Sequence, residues 1–323
     1  MLSRNAPSLL CHADWGTHER KRWIAKAFLE EGRYTAFAPL LVGDHTTLIA
    51  QAAARIGKTG TALLGFDFPI GIPAAYARLV GAADFRRFLL ALGAGPWSRF
   101  WDVCREPEEI SLYRPFYPDM PGGTKQAYLL AALGMNVVDD LRRRCELKQP
   151  DKLKQPGRRA ACPLFWTLGA NQVGKGARVG WKDVIAPSLS NRSVRLWPFD
   201  GKLRDLLLPS NVVIAETYPA EYYGWFISRL GSKRNADDRR KAGKALLQWT
   251  ESANVRVNAE MEQAIKEGFP RGRDDAFDAA IGLFGMLEVV LNRRASGEPA
   301  DERTRVEGWI LGQTVRPRGP DDK

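Results

Sequence analysis

Three short apolar runs in this sequence each carry an acidic residue at their end. The runs and their acids are residues 8–14 with Asp14, 61–67 with Asp67, and 211–217 with Glu216. Continuous apolar runs of this length are typical of strands that are buried on both faces of a parallel α/β sheet. Functional groups in such sheets gather where the strands end. The pattern therefore predicts an α/β fold in which one edge of the sheet collects acidic side chains.

A long helix is predicted over residues 274–293, and it opens with three more acids. Asp275 and Asp278 lie three residues apart, so both side chains point to one face of that helix. Asp274 is expected to cap the helix. The beginning of this helix is therefore a further source of carboxylates for the same site.

The remaining pattern predicts a mixed five-stranded sheet flanked by helices. Residues 20–30 and 33–42 are predicted as a hairpin that turns at Glu31–Gly32. Helices are predicted over 44–56, 82–93, 125–145, 220–229, 236–250 and 257–267. We expect a core formed by 1–73 and 210–312, a largely helical insertion over 74–209 between the fourth and fifth strands, and a flexible tail over 313–323.

Charge and cysteine usage limit the class of protein. The formal net charge is +11, which favours a polyanionic partner such as nucleic acid. The four cysteines form no C-x-x-C pair and there are three histidines, so a structural zinc site is not expected. The sequence has no signal-peptide pattern and no apolar run of 18 residues, which predicts a cytoplasmic protein that does not enter a membrane.

Basic residues form three clusters that are candidate contacts to a nucleic-acid backbone, with a solvated surface as the alternative. The clusters are Arg142–Arg144; Lys152, Lys154, Arg158 and Arg159; and Lys233, Arg234, Arg239 and Arg240.

Aspartates that pack close together repel one another, and burial raises the cost. A bound cation removes the conflict, and the hard ions Mg²⁺ and Mn²⁺ prefer carboxylate oxygens. The predicted metal ligands are Asp14, Asp67, Asp275 and Asp278, and Glu216 is a further catalytic candidate.

Five motifs occur in an order that resembles an uncharacterised family of predicted RNase H-like nucleases, classed as a domain of unknown function. They are HADWG around Asp14, GFDFPIGIP (65–73), ETYP (216–219), RDDAFDAAIGL (273–283) and EGWIL (307–311). The resemblance covers most of the core and says little about 74–160. It implies an RNase H-like fold and metal-dependent phosphodiester hydrolysis. It assigns the acids of the first strand, a middle strand and the last helix to Asp14, Asp67 and Asp275/Asp278. Dimers are common among related resolvases, so a homodimer is possible.

Two other functions stay open at this point. Asp14–Thr17 resembles the phosphate loop of the sugar-kinase and actin superfamily, which favours a small-molecule phosphotransferase or hydrolase. Gly169–Gly176 nearly matches a nucleotide-binding loop but ends on glycine where that loop needs Ser or Thr. The candidate substrate-binding residues are Lys175, Gln172, Thr17 and Tyr218. The third alternative is a non-catalytic nucleic-acid-binding protein with structural acids.

Overall fold

The computed structural model describes residues 6–149, 158–168 and 173–314. The strands are β1 Leu9–Asp14, β2 Trp23–Glu30, β3 Arg33–Leu41, β4 Ala62–Phe66, β5 Val194–Leu196, β6 Val212–Glu216 and β7 Arg256–Val257. The helices are α1 Leu48–Ile56, α2 Ala74–Leu79, α3 Phe85–Ala91, α4 Gln126–Leu133, α5 Val173–Val179, α6 Ala186–Ser188, α7 Leu203–Leu206, α8 Pro219–Phe226, α9 Ala236–Ser252, α10 Ala259–Glu267, α11 Arg273–Val290 and α12 Thr304–Glu307. A π-helical segment, Gly180–Ile185, joins α5 to α6.

The strands form one mixed seven-stranded sheet in the order β5-β6-β4-β1-β2-β3-β7. β1, β2 and β3 are antiparallel neighbours, whereas the other pairings are parallel. The predicted α/β class and mixed sheet are confirmed, but the predicted count of five strands is wrong. The two additional strands lie at the edges and have only three and two residues. Runs this short show no periodicity that a sequence pattern could reveal.

The hairpin of β2 and β3 forms as predicted. Glu31 and Gly32 connect the strands with φ angles of 50° and 75°, which is the left-handed conformation that suits a tight two-residue hairpin turn. On β2, Ala25 and Ala27 are fully buried and belong to the same apolar cluster as α11. These small residues allow the helix to lie close to the sheet.

Helices cover both faces of the sheet. One face packs against α8, α9, α10 and α11, and the other packs against α1 and the described part of the segment 74–193. α11 lies directly on β1, where a Cβ atom at Gly282 would collide with the ring of buried His12. His12 also lies within hydrogen-bonding distance of the Ala279 carbonyl oxygen, with 3.1 Å from Nδ1 to O. This close packing brings the beginning of α11 near the end of β1.

The described residues of the segment between β4 and β5 form short helices and loops. Its helices are shorter than predicted. For example, α4 ends at Leu133, because the Gly134 that follows adopts a left-handed conformation with φ 66°. Its aromatic side chains, among them Phe100, Phe116 and Trp181, belong to one apolar cluster with Phe66 of the sheet. The segment therefore shares its core with the sheet, and β5, which follows it, pairs with β6.

The end of the described chain is packed. Gln313 was expected to begin a flexible tail, but it is buried and its amide nitrogen donates to the Cys145 carbonyl at 3.0 Å. Residues 315–323 of that predicted tail lie outside the described residues. Within the three described ranges, none of the helices combines the length and hydrophobicity that a membrane-spanning segment needs.

Candidate active site

Asp14 and Asp67 lie side by side at the ends of two neighbouring strands. Ala13 of β1 is in register with Phe66 of β4, so the residues that follow are also adjacent. The Asp67 amide donates to the Ala13 carbonyl at 3.0 Å, which joins the ends of the two strands. Because side chains alternate along a strand, both carboxyl groups face the side that α11 covers.

The beginning of α11 adds two carboxylates. Gly272 occupies the N-cap position with φ 72°, and its lack of a side chain makes room for the ring of Trp23. The expectation that Asp274 caps the helix is therefore wrong, because Asp274 already lies in the first turn. Asp275 is half-buried and Asp278 is only 3% exposed.

These four aspartates line one cavity of about 650 Å³. Its other walls come from the turn after β1, from the beginning of α8, and from the segment 74–193. The residues that contribute to those walls include Trp15, Gly16, Thr17, Cys162, Gly176, Tyr218 and Tyr223, and the cationic side chains are Lys21, Lys233 and Arg234. The structure therefore collects all four predicted metal ligands at one place.

Burial and mutual repulsion disfavour the charges of these carboxylates. Burial raises the pKa of Asp14 well above its usual range, and the charges of Asp278, Asp67 and Asp275 raise it further. Burial, followed by the charge of Asp278, raises the pKa of Asp67 to about 7. Burial also raises the pKa of Asp278 and of Asp275. The cluster thus favours protons or a cation.

Asp278 is held by two partners that the sequence pattern did not assign to the site. It accepts hydrogen bonds from the Tyr223 hydroxyl and from the Lys233 ammonium group. Burial disfavours the charge of Lys233, but the carboxylates of Asp278, Asp67 and Asp14 outweigh it and raise the pKa of that lysine. In the sequence Lys233 belongs to a basic cluster, and nothing in that cluster marks it as the residue that enters the cavity.

Glu216 lies on the opposite face of the sheet from the cavity. It is in register with Phe66, one residue before Asp67, so it faces the segment 74–193. There Arg143 binds it through two hydrogen bonds of 2.6 Å each, and the Ile70 amide donates to it at 2.6 Å. The prediction that Glu216 joins the catalytic acids is not supported by this position. Thr217, one residue later, lies level with Asp14 and Asp67 instead.

Two of the residues assigned to nucleic-acid contacts are buried. Arg143 is fully buried, and Arg239 is only 2% exposed, so neither presents its charge to a large ligand. Arg143 binds Glu216 and Glu146, and Arg239 binds backbone carbonyl oxygens. For these two arginines the surface-contact prediction is wrong, whereas Lys152 and Lys154 lie outside the described residues.

The remaining candidate substrate-binding residues have different outcomes. Thr17 and Tyr218 line the cavity. Among the described residues that form its walls, Lys175 is absent, and Gln172 lies outside the described residues. Gly174–Gly176 is helical within α5, so this part of the near-match to a nucleotide-binding loop does not form a loop.

The raised pKa values give an expected pH dependence for the metal-free protein. The neutral form of Asp67 is favoured in the folded state up to about pH 7, compared with about 3.9 for an unfolded aspartate. Between these two pH values the folded state thus binds more protons than the unfolded state. Protonation of Asp67 therefore stabilises the folded state at low pH, and this contribution is lost as the pH rises through about 7. Urea unfolding in EDTA should give a lower free energy of unfolding at pH 8 than at pH 5. Asp67→Asn should weaken this dependence, and a rise in stability from pH 5 to pH 8 would contradict the prediction.

Comparison of the chain with protein-family models, with curated proteins and with solved structures finds no match. Within the described ranges, no three His, Cys, Asp or Glu side chains already stand in a metal-binding arrangement. The carboxylate oxygens of the cavity are nevertheless suitable ligands for a hard cation. The ammonium group of Lys233 already binds one of them, on Asp278.

Proposed function

We propose that this protein is a metal-dependent phosphodiesterase that acts on nucleic acid, with an RNase H-like core. The observation that carries the proposal is the convergence of Asp14, Asp67, Asp275 and Asp278 on one cavity. These acids come from the first strand, its parallel neighbour and a long helix, as in the resembled family. The mixed order of the five central strands, β6-β4-β1-β2-β3, and the helices on both faces also support it.

The same four carboxylates would hold Mg²⁺ or Mn²⁺, which prefer oxygen donors. Such ions, when bound, activate water and stabilise the charge on a leaving oxygen. In the hydrolysis, a water oxygen bonds to phosphorus, the bond from phosphorus to one ester oxygen breaks, and that oxygen leaves with a proton.

The chain's own side chains position the reactants. The Tyr223 hydroxyl fixes the orientation of Asp278. Lys21 and Arg234 line the cavity and carry positive charge toward an anionic phosphate. The net charge of +11 attracts a polyanion over a longer range.

The direct test is cleavage of labelled single-stranded, duplex and branched DNA and RNA with Mg²⁺ or Mn²⁺. We expect cleavage of at least one substrate, no cleavage in EDTA, and weaker binding at higher salt because phosphate contacts release counterions. Binding that is equally strong with and without EDTA, together with no cleavage, would indicate a non-catalytic nucleic-acid-binding protein instead.

A small-molecule phosphotransferase is the second candidate, and the turn after β1 favours it. Gly16 and Thr17 line the cavity beside Asp14, where a backbone turn can approach a phosphate group. Calorimetry with ATP and Mg²⁺ distinguishes the two functions. Saturable ATP binding favours phosphotransfer, and no nucleotide binding eliminates that version.

A further inference from the structure

The ammonium group of Lys233 already lies where a cation is needed. It donates to Asp278 Oδ2, and Lys233 lines the same cavity as Asp67 and Asp14. Asp278 is almost fully buried, while the Lys233 side chain is 41% exposed. The lysine therefore reaches from the mouth of the cavity into the cluster and keeps a path back to solvent.

The backbone around Lys233 is held in place by the beginning of α9. The buried guanidinium group of Arg239 donates to the Lys233 carbonyl at 2.5 Å and to the Gly268 carbonyl at 2.7 Å. The Ser232 amide donates to Asp238 Oδ2 at 2.8 Å. These bonds fix the point from which the Lys233 side chain enters the cavity, so its position at the acids is built into the fold.

We propose that Lys233 is the internal counter-cation of the aspartate cluster and becomes a ligand for the substrate's phosphate when a divalent ion binds. This rests on the proposed function. A divalent ion at these carboxylates repels the ammonium group, because both would occupy the same negative site. The flexible four-carbon stem of lysine lets the ammonium group withdraw without a change in the backbone. The displaced ammonium group can then bind the phosphate together with Lys21 and Arg234, which line the same cavity.

Acetylation of lysines, read by mass spectrometry, tests the displacement without any substrate. In EDTA the ion pair should protect Lys233, and Mg²⁺ should raise its rate of acetylation by N-hydroxysuccinimidyl acetate several-fold. Lys58 is exposed on the turn after α1 and serves as the internal control, with an unchanged rate. Equal acetylation of Lys233 with and without Mg²⁺ overturns the proposal.

Lys233→Met tests the competition, because methionine keeps much of the stem and removes the charge. Mn²⁺ should bind the variant about 10-fold more tightly in calorimetry, since one competing unit charge is gone. Inorganic phosphate should bind the Mn²⁺-loaded variant more weakly than the wild type. The matched control is Lys241→Met on α9, whose side chain is 79% exposed, and it should leave both affinities unchanged.

The outcomes separate this proposal from the proposed function. Mn²⁺ binding without cleavage of any nucleic acid overturns the nuclease alone. Equal Mn²⁺ affinity in the wild type and in Lys233→Met overturns the counter-cation alone. No Mn²⁺ binding by either protein overturns both.

Discussion

Replacing Asp14 by asparagine is expected to abolish the proposed metal-dependent cleavage and to stabilise the metal-free protein. The loss of cleavage should exceed about 100-fold, because even partners that only orient a metal ligand cost 10–100-fold. The gain in stability arises because burial and the charges of Asp278, Asp67 and Asp275 all oppose an ionised Asp14. An uncharged amide removes that repulsion. Cleavage rates in Mg²⁺ and urea unfolding in EDTA at pH 8 measure the two effects.

The control for this substitution is Asp237→Asn. Asp237 lies in the first turn of α9, its side chain is 65% exposed, and it pairs with Arg240 on the surface. We expect this variant to keep its activity and to change the free energy of unfolding by less than about 1 kcal/mol. An Asp14→Asn protein that still cleaves at a tenth of the wild-type rate would refute the assigned site. An Asp14→Asn protein with a lower free energy of unfolding than the wild type in EDTA would refute the proposed repulsion between Asp14 and the neighbouring aspartates.

The second large effect is expected at Arg143, which joins three parts of the chain. Its guanidinium group binds Glu216 and Glu146 and donates at 3.0 Å to the carbonyl oxygens of Ile70 and Glu307. Arg143→Met leaves two buried carboxylates without their cation, which costs about 3–5 kcal/mol in buried ion pairs. Urea or thermal unfolding should show a loss of that size.

Two further variants define the origin of this loss. Arg204→Met removes an exposed pair with Asp205, in which the side chains are 81% and 60% exposed, and should cost less than about 1 kcal/mol. Adding Glu216→Gln to Arg143→Met should recover part of the loss, because one orphaned charge disappears. No recovery would show that Arg143 acts through packing and its bonds to backbone carbonyls.

The strands nearest the centre of the sheet could be predicted because they are continuous apolar runs. For the same reason the sequence could not tell which face each residue occupies. A strand buried on both sides has no alternation of polar and apolar residues, so the sequence does not show which residues face which side of the sheet. Glu216 illustrates this, since its place near a strand end was recognised but its face was set by the register with Phe66.

The sequence also could not show which of several neighbouring arginines or lysines becomes buried, for a different reason. Arg142, Arg143 and Arg144 are consecutive, yet only Arg143 is fully buried, because Glu216 lies 73 positions away to receive it. Lys233 likewise depends on Asp278, 45 positions later. Composition and spacing show where charged residues occur in the sequence. Which of them are buried depends on ion pairs with residues that are distant in the sequence.

The packing of α11 on β1 has a consequence for biosynthesis. Asp14 and Asp67 are synthesised before α11, which follows about 200 residues after Asp67, a delay of about 10–40 s at ribosomal speeds of 5–20 residues per second. Throughout that interval the nascent chain holds only two of the four acids that line the cavity. A fragment released by interrupted translation before Arg273 is likewise incomplete, so the proposed cleavage requires that α11 has been synthesised.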